Sequence, residues 1–241
     1  DKVVDEILPS LDFTETRFIA NVSGSTVEEY YNVTRRFDDS PIDAIEINIS
    51  CPNVKEGGVA FGNDPDMSAR VVEACRKATN KPLITKLSPN QTDIALNARR
   101  CIEAGTDGFA VINTLMGMAI DIETRRPVIG NNQGGLSGPA IKPIALLKVQ
   151  QVAQVCRPHK IPIIGQGGVT TASDAIEFLI AGATAVGVGT ALFYDPLVCG
   201  KLNAGIVDYL DRHRLANVSQ LTDTLQLYGQ ASTCAPAACG S

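Results

Sequence analysis

Short apolar runs alternate along the chain with stretches whose apolar residues recur at helical spacing. The runs are 17–22 (RFIANV), 44–50 (AIEINIS), 82–88 (PLITKLS), 108–114 (GFAVINT), 162–168 (PIIGQGG) and 185–191 (AVGVGTA). Each is rich in β-branched residues and nearly continuous in apolar character, the pattern of strands buried on both faces of a parallel sheet. Between and after them, 26–37, 66–79, 92–104, 140–156, 171–181 and 196–213 read as amphipathic helices. Ser25 stands where it would cap the first, and Gly105 and Gly182 stand where helix C-caps fall.

Two stretches repeat one plan. IEAGTDGFAVINT (102–114) and LIAGATAVGVGT (179–190) both run from helix end through glycine and a short turn into a strand that closes on Thr. Repeated βα units imply a parallel sheet with right-handed crossovers. Six units suit a doubly wound sheet or most of an eight-stranded barrel. Polar residues or glycines close every strand: Asn21, Asn48 with Cys51, Lys86, Asn113 with Thr114, Gly167 with Gly168, Gly189 with Thr190. An open sheet gathers its chemistry at one switch point, whereas a barrel collects it around one whole face. The expected fold is therefore α/β, a TIM (β/α)8 barrel with six of its eight βα units in this chain. Residues 1–215 form the barrel and 216–241 a C-terminal tail. The two missing strands are expected to precede Asp1.

Composition narrows the partners. With 44% apolar and 20% charged residues the chain suits a globular protein with a sizeable core. A net charge of −5 and the absence of any Lys/Arg-rich run speak against nucleic acid. No apolar run approaches the roughly 20 residues of a membrane span. Seven scattered cysteines suit free thiols in a reducing compartment, and two histidines leave no His-based triad or zinc motif. No metal site is expected. Cys234 and Cys239 have the C-x4-C spacing of some iron–sulfur ligands, but two further ligands are missing.

Three features carry candidate chemistry. The glycine pairs of GQGGVTTASD and VGVGTALF end the last two strands, where barrels commonly bind phosphate, and Thr170, Thr171 and Ser173 begin the helix that follows. Tight turns without a ligand would use the same glycines. Lys86 lies inside an apolar strand. If Leu83, Thr85 and Leu87 face the helices, Ile84, Lys86 and Ser88 face the interior. An interior cation suits a ligand that becomes anionic during reaction, as a reduced flavin does; a lysine whose stem packs while its head reaches water would look the same. Cys51, in INISCPNVKEGG, sits between Asn48 and Asn53 ahead of Gly57 and Gly58. A thiol there is a candidate base, although a lone cysteine is more often packing, the role expected of Cys75, Cys101, Cys156 and Cys199.

Four blocks, INISCPNVKEGGVAFG, ITKLSPNQTDI, FAVINTLMGMAIDIETRRPVIGNNQGGLSGPAIKPIAL and IPIIGQGGVTTASDAIEFLIAGATAVGVGTAL, resemble the dihydroorotate dehydrogenases, most closely the class 1B, NAD-linked branch. The resemblance covers most of residues 17–195. It implies an FMN-containing barrel that oxidises (S)-dihydroorotate to orotate in UMP biosynthesis, in the cytoplasm. It assigns the general base to Cys51, since the membrane-associated class carries Ser there. It places Asn48, Asn53, Asn113 and Thr114 on the substrate. Asn21, Asn48, Lys86, Ile112, Gly138, Gly167, Gly168, Gly189 and Thr190 fall on the flavin, with Lys86 stabilising charge on its reduced form. FAD and a 2Fe–2S cluster belong to a partner subunit, so the implied assembly is a homodimer or a heterotetramer with that subunit. Other readings remain: a dihydropyrimidine dehydrogenase barrel acting on uracil or thymine, a non-redox phosphate-binding barrel, or a truncated inactive remnant.

Overall fold

The computed structural model describes residues 2–49 and 62–229. Six parallel strands form one sheet: β1 (Ile19–Val22), β2 (Ala44–Asn48), β3 (Leu83–Leu87), β4 (Gly108–Val111), β9 (Ile163–Gln166) and β10 (Ala185–Gly187), in that order. Two small antiparallel pairs lie in the excursion between β4 and β9. One joins β5 (Leu115–Gly117) to β8 (Gly134–Leu136), the other β6 (Ile120–Asp121) to β7 (Arg126–Pro127). The helices are α1 (Val27–Asp38), α2 (Pro65–Ala78), α3 (Ile94–Glu103), α4 (Lys142–Cys156), α5 (Ala172–Ala181) and α6 (Val198–Arg212).

Local chemistry sets the helix starts. Thr26, rather than Ser25, caps α1: its hydroxyl accepts from the Glu29 amide at 3.1 Å, while the Ser25 amide is held by the Glu29 carboxylate. The two together satisfy donors that the first turn leaves open. Asp64 precedes Pro65 at the start of α2, and Asp93 accepts from Leu96 N at 2.9 Å to begin α3. The last strands are shorter than their apolar runs. Gly167 and Gly168 take φ of +126° and +84° and turn the chain out of the ladder directly after Gln166, and residues 190–193 coil into a 3-10 turn.

The core lies between sheet and helices. On β3 the outward residues Leu83, Thr85 and Leu87 are fully buried, whereas Ile84 and Lys86 on the opposite face are only half-buried. Strand alternation thus runs as the sequence implies. Ile45 and Ile47 of β2 and Phe109 of β4 are equally buried and meet Val71, Val72 and Cys75 of α2 and Ala98 and Cys101 of α3 in one cluster. Each aliphatic side chain so buried contributes about 1.5–3 kcal/mol. Cys75, Cys101 and Cys156 are buried in this layer, and burial pushes their thiols up, to about 11 for Cys75 and about 12 for Cys156. They are inert packing residues. Cys199 departs from that expectation: it is exposed, because Val198 and Leu202 are the positions α6 turns inward. Beyond α6, Leu221 packs on Ile176 and Leu179, and Arg157 pairs with Asp223.

Candidate active site

Strand register builds one wall of the site. Asn21 of β1 lies opposite Glu46 of β2, and Asn48 lies opposite Lys86 of β3. Paired residues in a sheet share a face, and Glu46 and Asn48 are two apart on one strand, so all four side chains point to the interior. Lys86 Nζ reaches Glu46 Oε1 at 3.2 Å, and Asn21 donates to the same carboxylate oxygen. Asn113, just past β4, donates from Nδ2 to Asn48 Oδ1 at 3.0 Å, and its own Oδ1 accepts from Thr114 N at 2.7 Å. Asn90 fixes this turn from behind, donating to Thr114 O at 3.0 Å and accepting from Met116 N at 2.9 Å.

The facing wall is mostly backbone. Gly167 and Gly168 follow β9, Gly189 and Thr190 follow β10, and Gly138 closes the excursion with φ +88°. Thr190 donates to Ser137 Oγ at 3.1 Å. A methyl group on Gly168 would meet Gly138 O at 2.8 Å and Lys142 N at 3.1 Å, so the turn has no room for a side chain. The turn is anchored from outside. Asp174, 8% exposed, accepts from Thr170 N at 3.0 Å and Thr171 N at 2.8 Å, and Lys142 Nζ meets it at 2.6 Å. Burial alone would raise this carboxyl; the ammonium, the two amides and the Thr170 hydroxyl outweigh it and hold it well below the usual carboxylate range. Donating to Asp174 and Glu177 raises the Lys142 ammonium in turn.

Asp174 corrects one expectation. The Thr170 and Thr171 amides, read from sequence as open donors for a phosphate, are already occupied by a carboxylate of their own helix. The amides of Gly168, Gly189 and Thr190 make no hydrogen bond to another described residue. The anion-binding capacity of this wall therefore lies in the glycine turns.

Between the walls is a cavity of about 540 Å³, within the usual size of a cofactor site. Lys86, Ile112, Gly138, Gly167, Gly168, Gly189 and Thr190 line it, together with Asn113 and Thr114. Of the residues singled out from sequence, Asn21 and Asn48 stand behind this lining, tied to it through Glu46 and Asn113. Cys51 and Asn53 lie outside the described residues. Sequence reasoning missed Glu46, Asn90, Ser137 and Gln166, whose Nε2 donates to Ile112 O at 3.1 Å. Glu46 alone had a visible signal: it is a second charge on an apolar strand, at i−2 from Asn48.

The dihydroorotate dehydrogenase family model matches residues 1–210. Catalytic subunits named dihydroorotate dehydrogenase B (NAD(+)) are similar throughout. That of Geotalea daltonii is 50% identical over 94% of this chain and 74% of that protein. That of Geobacillus kaustophilus is 48% identical over 91% of this chain and 70% of that protein. A crystal structure of DHODH in complex with ferulenol from Eimeria tenella superposes with a TM-score of 0.74 at 22% identity, over 92% of this chain and 65% of that one, and shows the shared fold. The chain spans about three quarters of the curated relatives' length and 65% of the solved neighbour's. The six-stranded parallel sheet is part of an α/β barrel, and the chain belongs to the dihydroorotate dehydrogenase family, whose members are flavin-dependent oxidoreductases. The reaction for which the family is named is the dehydrogenation of dihydroorotate.

Proposed function

We propose that this chain is the catalytic subunit of an NAD-linked, class 1B dihydroorotate dehydrogenase, with FMN as its flavin and Cys51 as its general base. The observation that carries the reading is the cavity in which an interior lysine, an amide-rich wall and glycine turns whose amides bond to no other described residue converge. These residues fit FMN: a methyl group on Gly189 would meet nothing within 4 Å, so the wall leaves space there, and the amides of Gly168, Gly189 and Thr190 suit a phosphate. Lys86, Ile112, Gly138 and Gly167 complete the holding set. Bound there, FMN supplies a two-electron acceptor for the hydride that leaves C6 of dihydroorotate.

The protein's own groups do the rest. Asn48, Asn53 and Asn113 offer both donors and acceptors to the ring amides and carboxylate of the substrate, with Thr114 beside them. Asn113 is oriented for this by Asn48 and by the Thr114 amide. The Cys51 thiolate takes the proton from C5; an ordinary thiol, with pKa about 8.5, is a competent base there. Lys86 sets a fixed positive charge beside the site where negative charge develops. A partner subunit carrying FAD and a 2Fe–2S cluster would supply the electron path to NAD, in a heterotetramer built on a dimer of this chain, in the cytoplasm. Among the described residues no helix is long and apolar enough to cross a membrane.

Cys51→Ser tests the assignment. Single-turnover bleaching of the flavin by dihydroorotate is expected to slow by about 10² or more, the loss typical of a missing general base. The wild-type rate should climb with pH through a thiol-like pKa, and the variant's profile should move to higher pH. An unchanged rate and profile would make Cys51 a packing residue. The flavin released on denaturation should be FMN; FAD in its place would overturn the cofactor assignment.

A further inference from the structure

We infer that Glu46 is a positioning residue: it holds Lys86 at the cavity wall and sets how strongly the lysine's charge is felt inside. The inference rests on the flavin reading and extends it to a residue that has no role there. Three observations support it. Lys86 lines the cavity and Glu46 does not, so Glu46 makes no direct contact with a ligand there and acts by placing Lys86 and by its own field. The carboxylate meets Lys86 Nζ at 3.2 Å with the two side chains only 14% and 20% exposed, a setting in which a pair is felt far more strongly than at the surface. Asn21 donates to the oxygen that faces the lysine, which fixes the carboxylate's rotamer and leaves Lys86 a defined target.

The arrangement has an electrostatic consequence. An isolated lysine here would present a full positive charge and would strongly favour an anionic ligand over a neutral one. The neighbouring carboxylate cancels much of that charge at a distance while leaving the ammonium hydrogens in place. Reduced flavin is anionic at N1, and oxidised flavin is neutral there. Glu46 thus moderates how much the site prefers the reduced form, which keeps the cofactor able to hand its electrons on.

The test is a charge-only change, Glu46→Gln, in the flavin-loaded protein. The amide oxygen still accepts from Lys86 and from Asn21, so geometry is retained while one negative charge is lost. The ratio of affinities for reduced over oxidised flavin should rise about tenfold, which is about +30 mV in the two-electron midpoint potential by spectroelectrochemical titration. In a Lys86→Met background the same substitution should move the potential by less, because only the carboxylate's own field is then lost. Glu46→Asp, which restores the charge on a shorter arm, should return most of the wild-type potential. A potential that does not change, or one that shifts equally with and without Lys86, would overturn the inference. If Glu46→Gln fails to fold, the Asp variant carries the test: a potential raised as far as in Lys86-intact Glu46→Ala would show that the carboxylate's charge does not set the potential, and would overturn the inference. A wild-type protein that takes up no flavin would fail the cofactor reading first, and this inference with it.

Discussion

The two walls of the cavity are made in opposite ways. The wall after β9 and β10 is built by leaving side chains out: Gly167 and Gly168 adopt left-handed backbone, and the space a Cβ would need at Gly168 is already filled by Gly138 O and Lys142. The wall formed by β1 to β4 is built by putting side chains in, with Asn21, Glu46 and Lys86 joined in sequence and Asn48 joined to Asn113. The first wall owes its shape to backbone dihedrals and has no room for an added atom at Gly168. The second owes its shape to hydrogen bonds among half-buried groups, and it should tolerate a change of atoms that keeps shape while responding sharply to a change of charge. Substitutions that respect one wall's rule and break the other's separate the two.

The largest effect is expected at Gly168. Alanine there must hold φ near +84° and displace Gly138 O, Lys142 N or both. A non-glycine residue in that region costs about 1–3 kcal/mol before any clash. Gly168→Ala should therefore lower the unfolding free energy by that amount in urea titration and weaken flavin binding at least about 10²-fold, since the turn that cradles the ligand has to move. Near-native affinity in this variant would show that the glycine wall is more plastic than its geometry implies.

Next in size is the anchor behind that wall. Asp174→Asn keeps the shape of the side chain and removes the charge that Lys142 and the Thr170 and Thr171 amides all use. Charge-assisted hydrogen bonds of this kind contribute about 1.5–3 kcal/mol, so a loss of about 2 kcal/mol is expected at neutral pH. The pH dependence has a fixed sign. The folded-state pKa of Asp174 is depressed, so its stabilisation is fully present above the unfolded carboxyl value of about 3.9 and is lost as pH falls below that toward the folded pKa. Urea midpoints of wild type and variant should differ most above about pH 5 and converge as pH drops toward 2. A gap that stays constant across that range would assign the anchor to shape rather than charge.

The sequence made the two walls legible to different degrees. Strand alternation alone told that Lys86 faces inward, because Leu83, Thr85 and Leu87 are apolar enough or small enough to be the outward set. The glycine pairs were visible as turns, since few other residues end a strand that way. What alternation does not convey is register: which residue of β1 stands beside which of β2 depends on how the strands slide past one another, and that is why Glu46, although charged and on an apolar strand, went unassigned until Asn21 and Lys86 were seen on either side of it. The occupied amides of Thr170 and Thr171 escaped for a related reason. Asp174 satisfies them as part of a capping box with Thr171, and a Thr three residues before an acid looks the same whether the amides are spent or open. The small antiparallel pairs within 115–136 were missed because each strand is two or three residues long, below the length at which alternation shows.

Gly189 offers the mildest and most discriminating break of the comparison. It belongs to the same wall as Gly168, yet it is a glycine for a different reason. Its φ is −121°, on the side of the backbone map that ordinary residues use, and a methyl group there would meet no atom within 4 Å. Its smallness serves the cavity rather than the turn. Gly189→Ala should leave the urea midpoint within about 0.5 kcal/mol of wild type, as for a substitution that touches no packed group. The methyl would still project into open space on the wall that meets the ligand, so flavin affinity should fall, by about tenfold or less, with no change in the absorbance spectrum of the protein that does bind. Equilibrium dialysis and urea unfolding on the same preparation decide it. If stability falls as far as it does for Gly168→Ala, the wall is a single rigid unit in which every glycine is a folding requirement. If affinity is untouched, the ligand does not approach this part of the wall, and the donor set for its phosphate shrinks to the turn at Gly168.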